Sequence, residues 1–232
     1  MLAPAAHAVT VDFSGLVPVN ASQALAQSET IAPITATAWV YSGGAYSTNY
    51  DNGLANPTPV TLWGRDQNND HGLGVCSETN CATGGGDVNE LDNSGAFEVI
   101  RLDAGGLDWT DLWVSSLDGG GTNNNESGLV YFSDNAFAAL DATTSSFAVD
   151  FNDLSPSVEG SIWSILQAAG LTAADAQKQY VFFTADGSNG TNNDYLVWKA
   201  TVVPIPAAAW LFGSALLGVF GVARRRQSQM KA

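Results

Sequence analysis

Residues 195–203, Y-L-V-W-K-A-T-V-V, string β-branched and aromatic side chains together with a single charge among them. That composition suits a pleated strand better than a helix, in which branched side chains lose rotamer freedom. Eight further segments of the same kind precede it, at 9–13, 36–41, 60–63, 97–102, 112–117, 129–132, 147–151 and 180–184. Clusters of Gly, Asn, Asp and Ser separate them, as turns between strands require. Nine short strands without a βαβ rhythm predict an all-β fold, a β-sandwich or jelly roll.

One stretch departs from that pattern. Val158, Ile162, Ile165, Leu166 and Ala169 fall near one helical face, and Gly170 follows as a stop, so a short helical insertion is predicted between late strands. Thr172 with Asp175 three residues on has the spacing of a helix-starting cap and predicts a second short turn.

Residues 9–203 read as one domain. They hold all 23 acidic residues but only four of the eight basic ones, Arg65, Arg101, Lys178 and Lys199, an excess of nineteen negative charges. Without a Lys/Arg patch to displace phosphate counterions, nucleic acid is excluded as a partner. Abundant Gly, Ala, Ser, Thr, Asn and Asp with little Lys or Glu suits a secreted bacterial β-protein.

The two ends read differently from the body. The opening residues 1–8, M-L-A-P-A-A-H-A, close on an Ala-x-Ala pattern at Ala6 and Ala8, which predicts the remnant of a secretory signal peptide cleaved after Ala8. An ordinary disordered terminus is the alternative. At the other end no charged residue occurs from 200 to 223, and Arg224, Arg225 and Arg226 follow. Residues 207–223 would span about 26 Å as a helix, close to the roughly 30 Å hydrocarbon core of a bilayer. Arginines after the apolar run favour a cytoplasmic tail with the acidic domain on the opposite side, and Trp210 suits an interfacial anchor.

Val203-Pro204-Ile205-Pro206, the apolar run with W-L-F-G-S at 210–214 and the arginine cluster together resemble the PEP-CTERM sorting signal, over residues 204–232. The resemblance implies a precursor read at the inner membrane by an exosortase, a membrane transpeptidase-like enzyme. It also implies an exported protein of a Gram-negative bacterium that makes extracellular polysaccharide. Ile205 stands where that family often has an acidic residue, which bears on the point of cleavage. An unprocessed tail anchor would give the same topology. Within the body, G-L-G-V at 72–75 and E-L-D-N-S-G at 90–95 before an apolar strand are similar to exosortase-dependent surface proteins.

Several residues are candidates for chemistry. Cys76 and Cys81 are separated by four residues, a spacing that predicts one local disulfide in an exported chain, contributing about 2 kcal/mol. A metal site is the rival, but His71 is the one imidazole available to join the two thiols. Asp66, Asn68 and Asp70 alternate along a polar loop with Gly72 following, so their oxygens would suit a hard cation such as calcium. Glu78, Glu90 or Asp92 would complete its shell; an Asx-rich turn without metal is the alternative.

Trp63 and Trp109, beside polar loops, are the tryptophans best placed to stack on sugar rings, although packing in the core explains large rings equally. His71 is the sole candidate base in the body for a Ser-His-Asp arrangement, and no G-x-S-x-G elbow presents a serine. The resulting reading is a non-enzymatic exported surface or extracellular-matrix protein, with polysaccharide or calcium as the ligands its loops would suit. The alternatives are a secreted carbohydrate-active enzyme using paired carboxylates and a purely structural matrix component.

Overall fold

The computed structural model describes residues 7–41, 57–67, 70–77, 89–92, 97–117, 126–136, 145–150, 172–185 and 193–204. The nine expected segments coincide with strands β1 (Val9–Asp12), β4 (Ile34–Tyr41), β6 (Thr61–Gln67), β9 (Phe97–Asp103), β10 (Asp108–Ser115), β11 (Ser127–Ser133), β12 (Ser145–Asp150), β13 (Tyr180–Ala185) and β14 (Asp194–Val203). Five more were not legible: β2 (Ala21–Ala24), β3 (Ser28–Ile31), β5 (Pro57–Pro59), β7 (Asp70–Cys76) and β8 (Leu91–Asp92). They are short, or polar, or broken by Pro and Gly, so propensity and alternation are weak in them.

The strands form two seven-stranded antiparallel sheets. In the first, β14 is the hub, paired with β1, β7, β8 and β10, while β6 joins β7 to β2. The second runs β12-β11-β13-β9-β4-β3, with β5 on β4. One apolar cluster draws on both: Val11, Leu62, Leu73, Val75, Val197 and Val202 from the first, Ile34, Ile100, Leu102, Val130 and Phe183 from the second.

Alternation places the remaining side chains of the second sheet on its opposite face. There the register aligns Tyr131, Phe182, Arg101 and Thr37 in one row across β11, β13, β9 and β4. Tyr131, Phe182, Thr37 and the neighbouring Val99 are buried, so the middle of this sheet, across β11, β13, β9 and β4, is buried on both faces. That accounts for the near-continuous apolar run of β13. Arg101 lies among these rings, 4.5 Å from the centroid of Trp39 and 5.0 Å from that of Tyr180, and donates to the Ala136 carbonyl at 2.8 Å.

Thr172 and Asp175 form the expected cap. The Thr172 amide donates to Asp175 at 2.9 Å, and the Asp175 amide returns a bond to the Thr172 hydroxyl at 3.3 Å, starting α1 (Ala173–Ala176). The helical insertion expected at 158–169 lies outside the described residues. Among the described residues no helix is long and apolar enough to cross a membrane, and 207–223 lie outside them.

Candidate functional site

The segment read as a polar loop is a hairpin. Gln67 pairs with Asp70 and Asp66 with His71, leaving residues 68 and 69 to connect β6 to β7. Side chains alternate along each strand, so Asp66 and His71 share one face while Arg65, Gln67 and Asp70 share the other. The bonds agree: Asp66 Oδ1 lies 2.7 Å from His71 Nδ1, and Arg65 donates to Asp70 Oδ2 at 3.1 Å.

Asp66 and Asp70, expected to converge on calcium, therefore point to opposite faces, each with its own nitrogen partner; Asn68 and Glu78 lie outside the described residues. Among the described residues no group of three His, Cys, Asp or Glu side chains is placed to hold a metal.

Arg65 lies on the hairpin face opposite the apolar cluster, yet it is 2% exposed. The cover is the segment Asn89–Asp92, which includes β8. It presses so closely on β7 that a Cβ on Gly74 would fall 2.0 Å from the Asn89 carbonyl oxygen. At Gly72, with φ of +125°, β14 crosses as closely: a Cβ would lie 2.3 Å from the Val197 carbonyl oxygen. The G-L-G spacing is thus a packing requirement, with glycine admitting one backbone on each side of Leu73.

Under this cover Arg65 donates to Glu90 as well as to Asp70, and the Ser116 hydroxyl reaches Asp70 Oδ1 at 3.3 Å. Asp92 and Asp194, both buried, are directly opposed in the β8–β14 ladder, and Glu98 accepts from the Asp92 amide at 3.0 Å. Burial pushes the Glu90 carboxyl up to about 8, with Arg65 opposing the shift and the charges of Asp194 and Asp70 adding to it. Near neutral pH Glu90 is therefore mostly protonated, and the single guanidinium is left to balance Asp70. The carboxyls Glu90, Asp92 and Asp194 are sealed in the fold, which suits clamping β6, β7 and β14 together rather than meeting a substrate.

His71 and Asp66 do form the His–Asp half of a nucleophile relay. The nearby Ser115 hydroxyl, however, is bonded to the main chain of His71, accepting from its amide at 3.0 Å and donating to its carbonyl at 2.5 Å. Ser115 is fully buried, and these bonds hold the hairpin against β10. The His71 ring instead stacks on Trp198, with centroids 5.3 Å apart.

The tryptophans chosen from sequence are core residues. Trp63 is 5% exposed and Trp109 1% exposed, with indole N–H groups donating to Ser22 Oγ at 2.6 Å and to the Lys178 carbonyl at 2.7 Å. Neither presents a ring to a sugar. Among the described tryptophans, Trp113 and Trp198 are the half-buried pair. The missed signal is partly in sequence, since Trp113 alternates with the apolar Leu112 and Val114. Trp198 was hidden by register: it is the extra residue of a β-bulge, between the positions of β14 that face Trp113 and Val114.

Cys76, at the end of β7, is disulfide-bonded, and Cys81 lies outside the described residues. Of the tail, Val203 ends β14 and Pro204 follows it; Ile205, Pro206, Trp210 and Arg224–Arg226 are outside. Comparison with protein-family models, curated proteins and solved structures finds no match to this chain.

Proposed function

We propose that this chain is a non-enzymatic surface or extracellular-matrix protein of a Gram-negative bacterium, exported across the inner membrane and sorted through residues 204–232. Its two sheets form the β-sandwich or jelly roll of the exported domain. The observation that carries this reading is the uncharged run from 200 to 223 followed at once by three arginines, a spanning segment with a positive cytoplasmic flank.

Three structural facts support it. β14 ends at Val203, where the Pro-x-Pro motif begins, and cleavage after Ala8 would leave β1, starting at Val9, whole. A bonded Cys76 suits an oxidising compartment. An exosortase-like transpeptidase would act on the tail, and exopolysaccharide would be the surrounding material.

The test is fractionation in an exosortase-bearing host of the full-length chain and of one ending at Val203, with mass spectrometry of the mature protein. The full-length chain is expected to pass through the membrane fraction and lose Arg224–Arg226, while the shortened one is released soluble. Retention of the shortened chain in the membrane overturns anchoring by the tail; a mature protein still carrying the arginines overturns processing.

A further inference from the structure

The antiparallel pairing of β1 with β14 sets Val9 against Val202, and β10 begins beside them, with Asp108 facing Val203. The turn at 104–107 that leads into β10 lies at the same end, because Asp103 just before it pairs with both Thr35 and Tyr180. β5 and the start of β14 lie at the other end. Thr58 faces Val40, about 17 Å along β4 from Thr35, and Asp194 is about 30 Å along β14 from Val203.

Val203 is fixed to its end of the domain. Its neighbour Val202 is fully buried and paired on both sides, with Val9 and with Trp109. Peeling β14 away to lengthen the stem would break two ladders and expose apolar surface. From Val203 to Ala207, where the apolar run starts, the chain takes four steps, a reach of at most about 14 Å. With 207–223 spanning a bilayer, Ala207 stands at the edge of the hydrocarbon core, under a headgroup layer about 6 Å thick. An inverted domain would lift Val203 about 30 Å from that edge, beyond the reach of the stem. A domain lying on its side would bring more of the nineteen excess negative charges of residues 9–203 against anionic lipid.

We propose that the end formed by Val9, the turn at 104–107 and Val203 is the surface that the anchored domain turns to the lipid headgroups, held there by the short stem, with β5 and the start of β14 directed outward. This orientation rests on the reading of 207–223 as a membrane span. The surface suits contact with headgroups: Thr10, Gly105 and Gly106 are exposed and small or polar. Val9, 39% exposed, adds one apolar contact, too little to draw the end into the hydrocarbon.

The test attaches a fluorophore to Val9→Cys or to Thr58→Cys, both at exposed positions, in the full-length chain; Cys76 is disulfide-bonded and does not compete for the label. Each protein is reconstituted into vesicles of phosphatidylcholine and phosphatidylglycerol, some of whose headgroups carry a nitroxide that quenches on contact. The Val9 label is expected to lose fluorescence and the Thr58 label to keep it. A Gly/Ser spacer of about ten residues between Val203 and Pro204, adding about 17 Å of flexible stem, should restore the fluorescence of the Val9 label. In protein that floats with the vesicles, equal quenching of the two labels, quenching of Thr58 alone, quenching of neither, or quenching of Val9 that the spacer leaves unchanged overturns the orientation alone. Protein that does not float with the vesicles overturns the membrane span and the orientation with it, so the two failures are distinguishable.

Discussion

Arg65 on β6 and Lys178, two residues ahead of β13, each reach an aspartate, Asp70 at 3.1 Å and Asp134 at 2.6 Å. The shorter contact belongs to the weaker pair. Arg65 is sealed beneath Asn89–Asp92 with a second carboxyl against it, whereas the Lys178 and Asp134 side chains are 38% and 63% exposed. Water and salt screen the outer pair, while the inner one stands where an unmatched charge is costly to leave. An acidic chain with four cations in its body uses them unequally, and distance alone does not rank them.

The strongest way to break this contrast is to remove the buried cation. Arg65→Ala is expected to lower stability by about 3 kcal/mol, because buried Glu90 and partly buried Asp70 lose their shared donor. Urea unfolding of the full-length chain in detergent reads the effect. A loss below about 1 kcal/mol, the range of surface pairs, would remove the distinction between the two regions.

Glu90 sharpens the comparison through pH. Its carboxyl rises from an ordinary 4.5 to about 8 in the fold, so between these values the folded chain keeps a proton that the unfolded chain has released. That preference stabilises the fold fully at the acid end; the contribution declines as pH rises through the window and is gone above about 8. Glu90→Gln should abolish this part of the decline and be the more stable protein near pH 9, as urea midpoints of both chains at about pH 5, 7 and 9 would show. Parallel curves for the two would place the proton elsewhere.

The smallest effect belongs to the exposed pair. The Lys178 hydrogen bond holds the Asp134 carboxyl below its ordinary range, but Lys178→Ala should cost about 0.5 kcal/mol or less, and nothing measurable in molar salt. A loss approaching that of Arg65→Ala would mean that the pair anchors the entry to β13 beyond its charge.

Legibility in the sequence followed local chemistry. The apolar runs gave nine strands in place, and the Thr172 and Asp175 spacing gave a capped turn, since strand propensity and capping are decided within a few residues. The second strand of the hairpin, β7, is not legible because glycines at 72 and 74 dilute its strand signal. Their reason, the approach of β14 and of Asn89–Asp92, comes from far along the chain. The choice of Trp63 and Trp109 failed similarly, because a polar loop nearby in sequence says little about what lies over a ring in space.

The sequence by itself determined that this is an acidic all-β chain with an uncharged, arginine-ended tail, because composition and periodicity act through every residue. Tertiary packing decided that Asp66 and Asp70 part to opposite faces, that Arg65 gathers Asp70 and Glu90 beneath Asn89–Asp92, and that Trp63 and Trp109 are buried while Trp113 and Trp198 are half-buried. Those outcomes depend on register, where a shift of one residue exchanges the faces of a strand, and on contacts between residues distant in sequence.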